Sequence, residues 1–432
     1  MVKSTNKDLR NKVIYVMSVR NHTTEGTFAA VEPDLERIKE LGTDIILLLP
    51  FYPANGNMYA VKDSRLISPE YGTLEDFIHL TDQIHNMNML LMIDIVFNHA
   101  SGESLLLSEH PDWFYTDPEG NKVNRTLNKP DVYDLDYNNP DLWDYQIETL
   151  LKWAEYADGF CCNLAPFIPL DFWNTARGAI NKKKPGFIWL ADTLEPRIII
   201  EHRAHGFTAY SDGEVYQVFD ICFDDYINRV FESYLKDELL LSNYVQLLEY
   251  QDALFPDNYC KLHFLENYST PRVKALINEN SILRSWTAFL YLLRGATMIS
   301  EGQEYSCTHT PSTNVKDPVE WNSGPDLSGL MRNLYKIKKN PLVSKGVFYI
   351  TANNRTDIAT IRYIMGDEWL EGSFSLKGRS GLTDTYVPDG LYLNMIDYSV
   401  VNVKNGKYGV DQNPVIFCSN YKHQETTART QS

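Results

Sequence analysis

The chain has 432 residues, of which 44% are hydrophobic and 12% aromatic, so it can bury a core for one main domain and a smaller one. Its formal net charge of −17 argues against nucleic acid and anionic membrane surfaces as partners. The first residues contain no apolar signal core and no run is long enough to span a bilayer, so the sequence predicts a cytoplasmic protein.

Short apolar segments alternate with helical patterns from Val13 to about Ile337. Strands that are apolar on both faces are typical of a parallel sheet covered by helices. Eight strand–helix units in this order predict a closed (β/α)₈ barrel rather than an open sheet. No glycine-rich phosphate fingerprint follows a strand, which argues against a nucleotide cofactor. The predicted strands are Val13–Met17, Asp44–Leu49, Met89–Val96, Ala157–Asn163, Phe187–Ala191, Phe207–Ser211, Lys261–Leu265 and Ala296–Ser300.

Two further units interrupt and follow the barrel, which we assign to residues 1–99 and 140–342. Residues 100–139 are too long and irregular for a plain crossover, so they predict a small inserted subdomain over the barrel mouth. Over 343–421, short strands broken by glycine and asparagine turns predict an antiparallel β domain. The polar tail, 422–432, is predicted to be disordered.

Polar side chains follow several of the predicted strands, and a barrel of this kind builds its site at the carboxyl ends of its strands. We therefore expect these segments to surround one pocket. They are Asn57–Asp63 after strand two, Asp94–His99 at the end of strand three, Phe160–Asn163 for strand four, Trp189–Thr193 for strand five and Phe264–Arg272 for strand seven.

The run Asp94-Ile95-Val96-Phe97-Asn98-His99, with the segments Pro69–Phe77 and Phe264–Arg272, resembles the alpha-amylase family, glycoside hydrolase family thirteen. The resemblance covers nearly everything from Val13 to the C-terminal β domain. It implies a barrel with a subdomain after strand three and a C-terminal β-sandwich. It also implies a place in carbohydrate metabolism and an α-linked oligosaccharide or glucan as ligand.

The family's retaining mechanism needs a carboxylate nucleophile, an acid/base and a third carboxylate that holds the sugar in the transition state. Motif matching assigns these positions to Asn163, Asp192 and Ser269. An amide cannot attack as an anion, and loss of the nucleophile typically costs roughly 7 kcal/mol or more of barrier. Asp192 keeps an acid on a shorter side chain. Ser269 can donate a hydrogen bond but cannot stabilise positive charge on the ring.

Neighbouring positions depart from the family pattern as well. Cys161 replaces the arginine that orients the nucleophile, Tyr268 replaces a histidine, and Ala60 replaces an aspartate. The arginine, replaced by Cys161, is lost together with the carboxylate that it orients, replaced by Asn163, so the changes are mutually consistent. They predict a degenerate catalytic triad without normal activity.

The resemblance also implies residues that contact the substrate. For Asp94 a structural role in fixing loop backbone is equally open, and Arg272 could equally be an ion-pair partner. The candidate contact residues are Tyr59, Asp94, His99, Tyr268 and Arg272.

Metal sites have little support in the sequence. Adjacent Cys161 and Cys162 lack the partners of a tetrahedral site, and His202 with His205 lacks the HExxH spacing. Asn98 matches a position that binds calcium in many relatives, so the resemblance leaves calcium open. We otherwise predict no cofactor.

Three functions stay open. The preferred one is an inactive family member that binds an α-glucan or oligosaccharide or acts as a regulatory subunit. The second is a divergent retaining α-glycosidase or glucan transferase with Asp192 as acid/base. Glu195 or Glu266 could replace a missing catalytic carboxylate. However, Glu195 begins a helix, where a carboxylate is stabilising in any case, and Glu266 matches a non-catalytic position of the family. The third is an interaction scaffold that binds no sugar.

Overall fold

The structure is a computed structural model that describes residues 5–125 and 131–420. The predicted disordered tail, 422–432, lies outside the described residues. The strands of the described part are β1 (Val13–Met17), β2 (Ile45–Leu48), β3 (Leu90–Val96), β4 (His99–Ser101), β5 (Val132–Asp134), β6 (Gly159–Asn163), β7 (Ile188–Ala191), β8 (Ile221–Phe223), β9 (Lys261–His263), β10 (Gly295–Ser300), β11 (Val347–Asn353), β12 (Ile358–Met365), β13 (Glu368–Ser375), β14 (Gly381–Asp384), β15 (Gly390–Leu393), β16 (Val400–Val403), β17 (Lys407–Val410) and β18 (Val415–Cys418).

The helices of the same part lie between these strands. They are α1 (Val19–His22), α2 (Phe28–Val31), α3 (Leu35–Gly42), α4 (Leu74–Asn86), α5 (Leu106–Glu109), α6 (Pro140–Trp153), α7 (Leu170–Lys183), α8 (Pro196–Ala204), α9 (Asp212–Val215), α10 (Asp225–Leu235), α11 (Leu241–Leu254), α12 (Val273–Leu276), α13 (Asn280–Leu292), α14 (Ser328–Lys338) and α15 (Pro341–Lys345). Within the described ranges, none of them is long and apolar enough to cross a membrane.

A closed parallel barrel with the strand order β1-β10-β9-β8-β7-β6-β3-β2 forms the centre of the molecule. Every residue of β1, β2 and β6 is buried, because side chains fill the barrel on one face and helices cover the other. The predicted (β/α)₈ barrel is therefore confirmed. All six cysteine side chains are buried.

The predicted sixth strand, Phe207–Ser211, is wrong. The strand at this place in the barrel is β8, and residues 207–211 form an irregular segment that leads into α9. Ala209 packs in a separate apolar cluster with Leu164 and Phe167, so this apolar run serves a contact outside the sheet. The true strand has only three residues, too few for an apolar pattern to stand out.

The inserted segment is built on a two-stranded antiparallel ladder, in which β4 pairs with β5 between the third and fourth barrel strands. Trp113 anchors this segment, because its ring stacks on His110 at 3.8 Å and meets the edge of Tyr145 at 5.3 Å. The segment therefore stands beside the carboxyl ends of β3 and β6.

The C-terminal part is an antiparallel sheet in the order β11-β12-β13-β18, accompanied by the pairs β14–β17 and β15–β16. The predicted antiparallel β domain is confirmed. It docks on the barrel through hydrogen bonds from Tyr363 Oη to the Leu292 carbonyl (2.9 Å) and from Trp286 Nε1 to the Leu376 carbonyl (3.1 Å). One apolar core extends through both parts.

Candidate functional site

A pocket of about 260 Å³ opens at the carboxyl ends of the barrel strands. The three predicted catalytic positions, Asn163, Asp192 and Ser269, all line it. Asp94, Asn98 and Arg272 do not line it. The predicted site residues that do line it are Tyr59, His99, Asn163, Asp192, Tyr268 and Ser269.

Asn163, the last residue of β6, is bonded directly to Asp192, which follows β7. The Asn163 side-chain amide donates to Asp192 Oδ2 at 2.9 Å. The adjacent parallel strands hold the two residues side by side, because the Asp192 N–H donates to the Cys162 carbonyl at 3.1 Å. The chain then turns sharply at Leu164, whose φ of 49° is left-handed. The predicted nucleophile and acid/base positions are thus joined by one hydrogen bond.

Asp192 binds its proton unusually tightly. Burial raises the pKa of this carboxyl to about 7, against the opposing effect of hydrogen bonds from the Leu164 N–H, Asn163 and Tyr268. The Tyr268 hydroxyl is the weaker of the side-chain donors, at 3.5 Å from Oδ2. Near neutral pH the acid is therefore only partly ionised.

Two tyrosines form one wall of the pocket. The Tyr59 and Tyr268 rings stack with centroids 5.4 Å apart and planes 28° apart. Tyr59 Oη donates to Asp94 Oδ2 at 3.0 Å, so Asp94 supports the wall from behind. Asp94 is only 1% exposed, and burial, together with the charge of Asp192, raises its pKa well above the usual range.

Two other predicted positions complete the centre. His99 Nε2 lies 2.9 Å from the Tyr59 carbonyl and so donates to it, which orients the ring on the pocket wall. Cys161 is buried in the middle of β6, and burial raises the pKa of its thiol well above the usual value. A neutral thiol supplies none of the charge that an arginine brings to this position.

Ser269 is turned into its own loop. Both its hydroxyl and its backbone N–H donate to Asn267 Oδ1, at 2.9 and 2.8 Å. The hydroxyl can still accept a hydrogen bond from a ligand in the pocket.

Arg272 makes a buried ion pair. Its Nη1 lies 2.7 Å from Glu266 Oε1, and its Nε donates to the His309 carbonyl at 2.9 Å. Glu266 Oε2 accepts from the Val273 N–H at 2.6 Å, so both carboxylate oxygens are engaged. The structure places Arg272 in the supporting framework of the loop after β9, the structural alternative left open by the sequence.

The structure adds Asp225, which the sequence analysis missed. It is the first residue of α10, it lines the pocket, and its Oδ2 is buried without a hydrogen-bond partner among the described residues. Burial and the nearby Asp192 charge raise the pKa of this carboxyl well above its usual range. The available signal was the pair Asp224-Asp225 directly after an apolar run, hidden because the sixth strand was predicted elsewhere.

Calcium, which the family resemblance left open at Asn98, does not fit the described contacts of this residue and its neighbours. Asn98 Nδ2 donates to Asp134 Oδ1 at 3.3 Å, and the Arg125 guanidinium lies 3.5 Å from Asp134 Oδ2. The Arg125 backbone N–H also donates to that oxygen at 2.8 Å, and its guanidinium stacks 3.3 Å over the Tyr115 ring. Across the described part of the chain, no cluster of three or more His, Cys, Asp or Glu could hold a metal. The Asp134 carboxylate faces the Arg125 guanidinium instead.

The sequence pattern of the alpha amylase catalytic domain matches residues 7–160, and that of the bacterial alpha amylase C-terminal domain matches residues 349–417. A probable oligo-1,6-glucosidase 3 of Bacillus subtilis is 23% identical over 377 residues, covering 70% of this chain. The chain spans 66% of the length of that relative.

Solved structures match over almost the whole chain. An alpha-amylase from Lactobacillus plantarum is 39% identical, with a TM-score of 0.93 over 96% of this chain and 100% of its own. A noncanonic maltogenic alpha-amylase from Thermotoga neapolitana is 27% identical, with a TM-score of 0.84 over 96% of this chain and 100% of its own. The barrel and the C-terminal sheet agree with these structures, and the chain belongs to the alpha-amylase family.

Proposed function

We propose that this chain is a non-catalytic member of its family that binds an α-linked oligosaccharide or glucan in the pocket of about 260 Å³. The observation that carries the proposal is the 2.9 Å hydrogen bond from Asn163 to Asp192. An amide has no charge with which to attack an anomeric carbon, and this amide is already committed to the acid/base position. Ser269 at the third position is neutral too.

Binding is supported by what the centre retains. The pocket is open, and its stacked tyrosines, Tyr59 and Tyr268, offer an aromatic wall suited to sugar rings. Asp192 and Asn163 supply polar atoms that fix the orientation of a ligand. The matched relatives bear the names of alpha-amylases and a glucosidase, which supports an α-linked saccharide as the ligand class. A regulatory subunit could use the same pocket to sense that saccharide.

A second candidate function is hydrolysis without the family's nucleophile, and Asp225 favours it. Asp192 and Asp225 are two acids with raised pKa in one pocket, so they can hold one proton and one charge between them. One member of this pair would protonate the leaving oxygen while the other, as a carboxylate, takes a proton from an attacking water. With Asn163 at the nucleophile position, the product would have inverted configuration.

The two candidates separate in one set of assays on the purified protein. We expect no release of sugar from maltooligosaccharides or aryl α-glucosides above a buffer blank, and saturable binding of maltooligosaccharides in calorimetry. Turnover that survives purification and disappears in Asp225→Asn would overturn the non-catalytic proposal and establish the second candidate. Absence of both turnover and binding would leave the scaffold interpretation.

Restoring the family pattern tests whether the pocket still fits a sugar. The variant combines Asn163→Asp, Cys161→Arg, Asp192→Glu, Tyr268→His and Ser269→Asp. We expect measurable hydrolysis, with Asn163→Asp alone as the inactive control, because a lone carboxylate has neither its orienting cation nor a correctly placed acid. A silent but folded five-fold variant that also fails to bind maltooligosaccharides would contradict the proposed ligand class.

A further inference from the structure

The barrel pocket has an aliphatic side opposite its two tyrosines. The aliphatic side chains that line it are Leu164, Leu194 and Ile198, which we call the aliphatic wall. In the closed strand order, β1 and β10 lie between β2 and β9, the strands that precede Tyr59 and Tyr268. The strands β6 and β7, which precede the aliphatic wall, lie on the opposite side of the ring. A ligand in the pocket therefore meets aromatic rings on one side and branched carbon chains on the other.

The aliphatic wall is held in place from behind. Leu194 and Ile198 pack against a separate apolar cluster. This cluster consists of Leu164, Phe167, Ile199 and Ala209. The Ile198 N–H also donates to the Glu195 carbonyl at 3.0 Å, in the first turn of α8. The wall is thus pre-organised, which lowers the entropy lost when a ligand contacts it.

Leu164 has an unfavourable backbone conformation. Its φ of 49° is left-handed, which is uncommon for a residue with a bulky side chain. Such conformations concentrate at functional sites, where the surrounding structure holds them. Here the turn directs the Leu164 N–H to the Asp192 carboxyl and places the side chain in the apolar cluster. One residue therefore connects the polar centre of the pocket to the aliphatic wall.

The aliphatic wall keeps apolar surface open to the pocket. Leu194 and Ile198 are only half-buried. Apolar carbon in contact with solvent is unfavourable, and a ligand that covers it gains free energy in proportion to the area removed from water. The wall adjoins the hydrogen-bonded pair, because Leu164 follows Asn163 directly and Leu194 follows Asp192 by two residues. A ligand bonded to this pair therefore presents a neighbouring group to the wall.

Polar groups on the same side of the pocket already have partners. Glu195 and Arg229 form an ion pair at 2.8 Å, and Thr193 Oγ1 donates to the Phe223 carbonyl at 2.9 Å. These contacts compete with the hydrogen bonds that a second sugar ring would need at this place. An apolar group needs none.

We propose that the ligand of the barrel pocket is an α-glycoside with an apolar aglycone. Its sugar lies against Tyr59 and Tyr268 and bonds to Asn163 and Asp192, and its alkyl or aryl group covers the aliphatic wall. The inference rests on the saccharide binding proposed above and narrows the ligand class. The pocket volume of about 260 Å³ is close to that of the smallest natural ligand pockets, which suits a short glycoside of this kind.

A matched series of ligands tests the aliphatic wall on the wild-type protein. Calorimetry compares methyl, n-butyl and n-hexyl α-maltoside, which share one sugar and differ only in the aglycone. We expect the hexyl glycoside to bind at least about tenfold more tightly than the methyl glycoside, since burial of about two methylenes supplies that factor. The butyl glycoside should fall between them, and excess maltotriose should displace all three.

Two isoleucines of α8 provide the variants. Ile198→Ser removes a side chain of the wall and should reduce the hexyl-to-methyl affinity ratio at least about threefold. The matched control is Ile200→Ser, because Ile200 lies on the same helix, is 66% exposed and lines a different cavity. Its affinity ratio should equal that of the wild type. Melting curves establish that both variants are folded, and the ligand series on the wild type needs neither of them.

The outcomes separate this inference from the proposed function. Equal affinity of the methyl and hexyl glycosides for the wild type would overturn the apolar aglycone and leave saccharide binding intact. A hexyl preference that folded Ile198→Ser retains in full, or that maltotriose cannot displace, would place the alkyl chain elsewhere and overturn the inference as well. Binding of none of the glycosides would overturn both proposals.

Discussion

At the scale of single residues, Asp192 gives the pocket its pH dependence. Its pKa is raised to about 7, whereas an aspartate in an unfolded chain titrates near about 3.9. Below about pH 4 both states are protonated and the shift has no effect on stability. As pH rises towards 7 the unfolded chain ionises first, so the folded state becomes progressively less stable relative to it.

Asp192→Asn should therefore stabilise the protein at pH 8 by about 1–2 kcal/mol and change nothing at pH 4, because the amide carries no charge to bury. Urea unfolding at the two pH values measures the difference. Asp82→Asn, on the exposed face of α4, is the control and should show no pH-dependent gain. A gain of equal size at both pH values would contradict the buried-charge explanation.

Tyr59 and Tyr268 differ in what their hydroxyls hold, although their rings stack on each other. Tyr59→Phe removes the 3.0 Å bond to the buried Asp94 and should cost about 1–3 kcal/mol in free energy of unfolding. Tyr268→Phe removes a 3.5 Å contact to Asp192 and a hydroxyl contact to Tyr59, neither of which holds a buried carboxyl as closely, and should cost under about 0.5 kcal/mol. Urea titrations compare the free energies of unfolding of the two variants. Equal losses would show that the hydrogen bond from Tyr59 to Asp94 does not stabilise the fold.

Sequence motifs predict where these residues lie but not the direction in which their side chains point. Asn163 and Asp192 were expected in one pocket because parallel strands end together. The turn of Ser269 onto Asn267 and the pairing of Arg272 with Glu266 depend on loop hydrogen bonds that no spacing encodes. Asp225 was missed because its position follows from a strand of only three residues.

At the scale of elements, a cation holds the inserted segment. Arg125 and Asp134 lie on two stretches of this segment, and the guanidinium also stacks near Phe207 at 4.8 Å. The segment that was wrongly predicted as a strand thus includes Phe207, which contacts the inserted segment. The apolar character of residues 207–211 could not show whether they pair in the barrel sheet or contact a side-chain cation such as Arg125.

Removal of divalent metal should leave the inserted segment intact. We expect EDTA to shift the melting temperature by less than about 1 °C, since a ligand that does not bind cannot stabilise. Arg125→Gln should instead cost on the order of 3 kcal/mol and speed hydrogen exchange in β4 and β5. The control Arg197→Gln removes an exposed pair on α8 and should cost under about 0.5 kcal/mol. A large EDTA effect would contradict the misfit of calcium.

At the scale of the whole molecule, barrel and β domain share one apolar core. Tyr234 Oη adds a buried 2.8 Å bond to Asp357 Oδ1 across the contact. The barrel and the β domain could be predicted because their patterns repeat over many residues. How the two parts dock could not be predicted, because it depends on contacts between residues far apart in sequence, such as Tyr234 and Asp357.

A shared core should make unfolding cooperative. Calorimetry should show one transition, and Tyr234→Phe should lower its midpoint without splitting it, because the lost bond links two parts of one unit. Far-ultraviolet and tryptophan signals should report the same midpoint. A separate early transition confined to the β domain would contradict this expectation.

The pairing of Arg125 with Asp134 also bears on how the chain assembles. The guanidinium is synthesised nine residues before its carboxylate partner, so their encounter closes a short loop within one chain. The rate at which this loop closes depends neither on the supply of metal ions nor on the protein concentration. The inserted segment thereby forms as a first-order step of folding, at the same pace wherever the protein is made.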